Sequence, residues 1–493
     1  MPINLVASFT AAQLGVTAVG DSMALIVAGG TARLIYSEAD VNRAMSLSLG
    51  PVAAPGSGYV SAQSLAASNP FDPGPSFAFH DSGSQVRAFL FDSHTGFLTS
   101  SVMGANGVPG VATTVSTSIG ALTGVETFAI MGNVAVLSTW NAPGLTVFTL
   151  NADGSMTYAG SVSDTDQSYV ATVSATAAVT VAGQDYVLAL SALENGITSY
   201  AVDAAGKVTQ VDSLGNPDLL AVSGPAALQV MQVAGVTYAV IASTGSSSLS
   251  VVRVGGSGGL LQTDHVVDDR TTRFDHAAAL DSFTLNGRSF VVTAGSDAGI
   301  TVFEMVPGGQ LSPFATGVFE TGAGLFTVKG LQVAVSGTSA NIFVVETSAD
   351  RVQQFDLSLA NLGGVVQAQG GVARGTARDD LVLGSAANET LSGGGGDDWI
   401  HAGGGTDVLR GGGGADVFVL AAASDKGRIA GFSLHSDRID LSDWGHVYSA
   451  AALTITATAK GCVISLNGHD LTVVANDSRP LTAASFVDSD FLF

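Results

Sequence analysis

The most regular chemistry in the chain lies between residues 375 and 419. An acid stands there at every ninth position: Asp380, Glu389, Asp398, Asp407 and Asp416. Each acid closes a six-residue stretch rich in small residues. Two places later comes an apolar residue: Val382, Leu391, Ile400, Leu409 and Phe418 in turn. Three repeats are glycine-dense: Gly393-Gly-Gly-Gly-Asp-Asp398, Ala402-Gly-Gly-Gly-Thr-Asp407 and Gly411-Gly-Gly-Gly-Ala-Asp416. Two looser ones precede them, Gly375-Thr-Ala-Arg-Asp-Asp380 and Gly384-Ser-Ala-Ala-Asn-Glu389. Six such residues predict a tight turn, because glycine takes positive φ at no steric cost. The next three predict a short strand with its central side chain in a core. Two nonapeptides per turn of a flattened parallel roll stack Asp380 with Asp398, Asp398 with Asp416, and Glu389 with Asp407. Calcium takes about six to eight hard oxygens at ~2.3–2.6 Å. Carboxylates from stacked loops, with carbonyls at Gly393, Gly395, Gly404, Gly411 and Gly413, supply such a set for about three ions. A flexible glycine linker has no reason to carry an acid every ninth residue.

This pattern resembles the RTX, or hemolysin-type, calcium repeat G-G-x-G-x-D-x-U-x. Two departures stand out: Ala402 takes the place of a first glycine, and Glu389 replaces Asp in a loop without a glycine pair, which makes the Glu389 site the weakest. Without metal the stacked carboxylates repel and the glycine turns carry large conformational entropy, so calcium binding and folding are expected to be one event. The resemblance implies a roll that stays unfolded at low calcium, crosses a type I secretion machinery and folds outside. The tail fits that picture. Ile429-Ala-Gly-Phe432 and Asp437-Arg-Ile-Asp440-Leu-Ser442 resemble the capping strands of serralysin-like proteins, and Asp490-Phe-Leu-Phe493 resembles their C-terminal export signals. Gly431 stands where an acidic ligand is usual, so no further ion is expected there.

Other catalytic patterns are thin. Gly255-Gly-Ser257-Gly-Gly259 fits G-x-S-x-G, but it falls on the hairpin turn held by Ala204-Ala-Gly206 in another repeat. Gly20-Asp-Ser22-Met23 is similar to a lipase block but leads into an inner strand, and no H-E-x-x-H is present. The densest polar cluster outside the glycine repeats is Asp268-Asp269-Arg270-Thr-Thr-Arg273-Phe-Asp275-His276. Asp275 and His276 there are the candidate catalytic pair, since His beside a carboxylate can act as base or metal ligand. The competing reading is a solvated, salt-bridged loop. His80 and His94 read as turn residues.

The elements that must carry these residues follow a longer period. Gly144-Leu-Thr-Val-Phe, Gly196-Ile-Thr-Ser-Tyr and Gly299-Ile-Thr-Val-Phe recur with a weaker copy at Ser248, and anchors at 30, 85 and 351 extend the series to seven copies over residues 1–370. β-branched segments alternate with Gly, Asn and Asp turns, and no helical period appears. The predicted fold class is all-β. A seven-bladed β-propeller, residues 1–370, is preferred over an extended array of sandwiches because a ring leaves few free edges. An RTX calcium-binding β-roll, residues 371–420, follows. A β cap with the export signal, residues 421–493, completes the chain. The repeat resembles lactonase-like and surface-layer propellers, whose ligands sit at the channel rim; no catalytic residue transfers by position.

Composition narrows the classes. The 493 residues suit two or three domains, and an apolar fraction of 46% excludes a disordered chain. With 18 basic against 41 acidic residues, the net charge is −23, so nucleic acid and anionic membranes are disfavoured partners. The single Cys462 makes no internal disulfide, and no apolar run reaches the ~18 residues of a membrane span. Residues 1–16 lack the pattern of a cleavable signal peptide. The reading is a secreted, calcium-folded protein, extracellular and in one version attached to the cell surface, whose propeller binds an extracellular ligand or surface partner. The alternative is a secreted lactone or ester hydrolase with its site on the channel rim near residues 268–276. A cytosolic scaffold is disfavoured because weak glycine-loop sites do not fill at micromolar calcium.

Overall fold

The computed structural model describes the chain apart from residues 1–2, 11–18, 29–30, 39–42, 49–75, 82–84, 92–97, 105–109, 320–327, 347–350, 422–426, 446–448 and 493, and positions 112, 121, 123 and 141. Among the described residues there is no α-helix, only strands and short 3-10 turns, and no helix long and apolar enough to cross a membrane. The chain divides into two compact units, residues 1–283 with 289–358, and residues 284–288 with 359–493.

The first unit is the seven-bladed propeller. Seven antiparallel sheets span residues 19–48, 76–114, 125–162, 173–215, 225–267, 279–318 and 328–358, called blades 1 to 7 below. Blade 1 has three described strands, and the other sheets have four. First strands of neighbouring blades lie side by side, and Val19–Ala28 packs against Val328–Ser336 to close the ring. Blade 7 takes its fourth strand from the other end of the chain: Ile3–Thr10 pairs antiparallel with Arg351–Ser358. Second strands such as Val134–Thr139 and Gln184–Ser191 are almost wholly buried, since a sheet faces them on both sides. That is why they read as unbroken apolar runs.

Local sequence explains the hairpins. First and second strands meet at Ala182-Gly183, Ala234-Gly235 and Asn286-Gly287, and both residues of each pair have positive φ, as a two-residue turn matched to strand twist requires. Polar stitches join the blades. Asp212 Oδ2 accepts the Leu260 N–H at 2.8 Å, Asp264 Oδ2 accepts the Leu311 N–H at 2.7 Å, and Asp281 Oδ2 accepts the Val333 N–H at 2.7 Å.

Five of the seven repeat anchors, 144, 196, 248, 299 and 351, fall on third strands. The other two do not: positions 30 and 85 abut second strands, Thr31–Glu38 and Val86–Phe91. In blade 2 the aromatic used for alignment, Phe89, lies one strand earlier and the third strand Leu98–Val102 has none, which slips the phrase by a strand. His80 also departs from expectation, lying within the strand Ser76–Asp81 rather than in a turn, while His94 lies outside the described residues.

The second unit is a parallel roll with a cap. One sheet stacks Leu362–Gln367, Asp379–Leu383, Trp399–His401, Val417–Val419 and Arg438–Asp440 in parallel. The other stacks Gly371–Arg374, Glu389–Gly395, Val408–Gly413 and Arg428–Phe432. The roll's first strand thus precedes the expected domain boundary at residue 371. Val382, Leu391, Ile400, Leu409 and Phe418 are all fully buried in one core with Phe432, Trp444, Phe486 and Phe491. The hairpin Gly461–Leu466 with His469–Ala475 extends the second sheet, and Phe491–Leu492 adds a strand to the first. Gly431, at φ +92°, sits at a register shift in the strand pairing; a side chain there would be strained.

Candidate metal centre

The nonapeptide places its acids as the spacing predicts, in loops stacked eighteen residues apart. Strand pairing fixes the register: Val382 lies opposite Ile400, Ile400 opposite Phe418, and Leu391 opposite Leu409. Each acid reaches back to the loop before it. Asp398 Oδ1 accepts the Asp380 N–H at 2.8 Å, Asp416 Oδ1 the Asp398 N–H at 3.0 Å, and Asp407 Oδ1 the Glu389 N–H at 2.8 Å. Asp437 continues the column, accepting the Asp416 N–H at 3.2 Å.

The second carboxylate oxygen sorts the loops into two kinds. Oδ2 of Asp398, Asp407 and Asp416 is buried and has no hydrogen-bond partner in the protein. These side chains are at most 1% exposed, and an unpaired buried charge costs several kcal/mol, of order 2–7 even for a neutral polar group. Burial, with the neighbouring carboxylates of Asp416 and Asp380 adding to it, pushes the Asp398 carboxyl up to about 8. Burial pushes Asp416 up to about 6 and raises Asp407 as well. In contrast, Asp380 Oδ2 accepts from Thr376 N–H and hydroxyl, and Glu389 from Ser385 and the Gly370 N–H. Burial opposes ionisation of Glu389, but these donors outweigh it and hold its carboxyl below the usual range.

Glycine usage matches that division. Gly394, Gly396, Gly403, Gly405, Gly412 and Gly414 have positive φ, the second and fourth places of the three dense loops. The first and third places (Gly393, Gly395, Gly404, Gly411, Gly413 and also Ala402) do not, so Ala402 meets no backbone penalty. Gly393 and Gly411 have a different constraint: a Cβ there would collide with Asp398 Oδ2 or Asp416 Oδ2. Sequence reasoning named the first and third glycines as carbonyl donors and overlooked the left-handed pair. It also overlooked a second ladder at the fifth place. Asp379, Asn388 and Asp397 side chains accept the N–H of Asp397, Thr406 and Ala415, each at 2.8 Å. The nine-residue spacing of Asp379, Asn388 and Asp397 beside the main acids was its only signal.

A free, buried carboxylate oxygen in a glycine turn is a hard, anionic ligand, and it fits calcium better than a softer metal. Among the described residues no three His, Cys, Asp or Glu side chains gather as a metal cluster. Each dense loop thus offers one buried carboxylate oxygen beside the backbone of its glycine turn.

The cluster at 268–276 connects the fourth strand of blade 5 to the first of blade 6. Its hydrogen bonds repeat those of the connection two blades earlier. Thr272 Oγ1 donates to Asp268 at 2.8 Å and accepts the Asp269 N–H at 2.9 Å, and Arg273 N–H donates to Thr301 Oγ1 at 2.8 Å. Likewise Ser168 Oγ donates to Asp164 at 3.1 Å and accepts the Thr165 N–H at 2.8 Å, and Tyr169 N–H donates to Thr198 Oγ1 at 2.8 Å. Phe274 and Val170 fill the corresponding core position. At the end of this shared turn, Asp275 and His276 stand where Ala171 and Thr172 stand. His276 Nδ1 is 2.9 Å from Asp275 Oδ2 and 3.3 Å from Ser296 Oγ, and Ser247 Oγ donates to Asp275 at 2.6 Å. Ser247 lowers the Asp275 carboxyl most, with His276 and Ser296 helping. The Gly255–Gly259 segment is a hairpin turn closed by Gly255 N–H to Gly259 C=O at 2.8 Å, with Ser257 exposed and no helix beyond it. Gly20, Asp21, Ser22 and Met23 lie inside a strand of blade 1.

Residues 374–418 match the RTX calcium-binding nonapeptide repeat, in four copies. No curated protein matches the chain. Solved structures similar in part include a protein from Lactobacillus plantarum (15% identity, TM-score 0.44, covering 64% of this chain and 92% of that one). Another is a putative 6-phosphogluconolactonase from Bacteroides fragilis NCTC 9343 (14%, 0.41, 65% and 92%). A third is the periplasmic gluconolactonase of Pseudomonas aeruginosa (15%, 0.44, 65% and 93%).

Proposed function

We propose that this is an exported calcium-binding protein whose roll folds on meeting calcium, and whose propeller is an extracellular binding or surface module. One observation carries the reading: three glycine loops each bury a carboxylate oxygen that no protein group satisfies. Calcium bound there supplies the positive charge that these buried acids lack. The chain's own part is to hold Oδ1 of each acid against the preceding loop, which aims Oδ2 into its own turn. Residues 1–370 then serve as the displayed module, 371–420 as the calcium roll and 421–493 as cap and export signal. Asp490, buried in the cap with Val487 N–H donating at 2.8 Å, belongs to the C-terminal segment that a type I secretion machinery would read.

Two measurements test this. Calcium titration of the full chain, followed by circular dichroism and tryptophan fluorescence, should show saturable uptake with a gain of order that chelator reverses. A reporter fused to residues 359–493 should leave the cell only when a type I exporter is present; release without one, or retention with one, refutes the export half. For the propeller, a binding role is supported by the reuse of the 164–172 turn at 268–276, which gives those acids structural partners. The alternative, lactone or ester hydrolysis through Asp275 and His276, draws on their 2.9 Å pairing at an exposed turn. Turnover that disappears in Asp275→Ala and His276→Ala would establish it.

A further inference from the structure

We infer that Thr376 and Ser385 take the place of metal in the first two loops, so that the roll takes calcium only in the three loops ending at Asp398, Asp407 and Asp416. This rests on the calcium reading above. In the first loop, Asp380 Oδ2 accepts the Thr376 N–H at 2.5 Å and its hydroxyl at 2.7 Å. In the second, Glu389 Oε2 accepts the Ser385 N–H at 2.6 Å, while Oε1 accepts the Ser385 hydroxyl and the Gly370 N–H, both at 2.8 Å. The same hydroxyls accept a backbone N–H two residues on, from Arg378 at 3.2 Å and Ala387 at 3.1 Å. That is a self-contained turn built by a hydroxyl residue in the second place.

The other loops cannot build it. Their second residue is Gly394, Gly403 or Gly412, which offers no hydroxyl and has positive φ, and their fourth is Gly396, Gly405 or Gly414, also at positive φ. Their acids keep an unpartnered oxygen, and the side chains of Asp398, Asp407 and Asp416 are 0%, 1% and 1% exposed. At the far end of the first edge the self-contained arrangement returns, since Asp437 Oδ2 accepts the Ser433 N–H at 2.7 Å. The roll thus begins with two loops that close on their own donors and then passes to loops that do not. The first pair needs no ion and offers the following loops a ready-made edge.

The test restores glycine at the second and fourth places, which have positive φ in the dense loops. The double variant Thr376→Gly, Arg378→Gly should bind one more calcium ion per chain than the wild type, counted by native mass spectrometry and calorimetry on the full chain. Hydrogen exchange in chelator provides the second readout. In the wild type, amides of 381–383 and 390–392 should stay protected while those of 398–419 exchange, and the double variant should lose the first protection. Equal, non-zero ion counts in the two proteins overturn the inference, as does uniform exchange across 379–419 in the wild type. No uptake by either protein overturns the calcium reading itself.

Discussion

Replacing Asp398 with Asn is the sharpest single test of the roll, because its effect should reverse sign with calcium. Asn keeps an oxygen for the Asp380 N–H, which Asp398 accepts at 2.8 Å, and removes only the charge. Without calcium that charge opposes folding. The carboxyl is pushed to about 8 in the folded roll and is about 3.9 in an unfolded chain, so at pH 7 folding must capture a proton. One pH unit is worth about 1.4 kcal/mol, which puts the penalty at about 4 kcal/mol, or about 2 kcal/mol if the loop stays half-hydrated. In chelator at pH 7 the Asn variant should therefore be more stable than wild type by about 2–4 kcal/mol, and the gain should vanish near pH 4. With calcium the order inverts: losing one anionic ligand should weaken binding at least about tenfold. Urea melts of the full chain read this directly, since Trp399 and Trp444 lie in the second unit, and the exposed Trp140 serves as a spectator. A variant less stable than wild type in chelator at pH 7 would refute the argument.

Other outcomes follow from the same geometry. Asp398→Ala should shift the calcium midpoint more than Glu389→Ala, whose acid already has protein donors; equal titrations would contradict the stacking. In chelator, acidification from about pH 8 to about pH 5 should increase order seen by circular dichroism. The raised carboxyls of Asp398 and Asp416 favour the folded form below their unfolded values and lose that contribution as pH climbs through the folded ones. Asp268→Ala should cost the propeller about 1–3 kcal/mol by orphaning the Phe274 N–H and removing the 2.8 Å acceptor of Thr272, whereas His276→Ala should change thermal stability by less than about 0.5 kcal/mol. Phe418→Ala should cost the roll about 3–5 kcal/mol, measured in saturating calcium.

The roll was legible because its grammar is local: the acid, the glycines and the apolar residue all sit within nine positions, and the acid and the apolar residue return in every repeat. What escaped was the content of single substitutions. Thr376 and Ser385 look like decay of a motif, yet each supplies two donors to its own acid, a fact that depends on backbone φ and not on spacing. In the propeller, the β-branched segments and their 52-residue return were enough for blades 3 to 7. Blade 2 slipped by one strand because Phe89 in its second strand mimics an aromatic in a third. The stitches from Asp212 and Asp264 are a further case. Each reads as an ordinary surface acid until the neighbouring blade brings Leu260 or Leu311 within reach.

The strand Ile3–Thr10 ties the first residues of the propeller to the last. Its partner, Arg351–Ser358, becomes available only after all the intervening blades have been laid down. Closing so long a loop adds little to the equilibrium cost, about 0.6 kcal/mol for each doubling of length, but such non-local pairings are slow to form. Until they do, blade 7 presents an unpaired edge, open to a second chain as readily as to its own first strand. A propeller delivered from one end therefore passes through an open ring whose lifetime is set by the rate of delivery. Splicing those first residues onto the end of blade 7 and opening the chain between two other blades would keep every strand pair while making that final pairing local. Such a permuted chain should refold faster, with less self-association along the way.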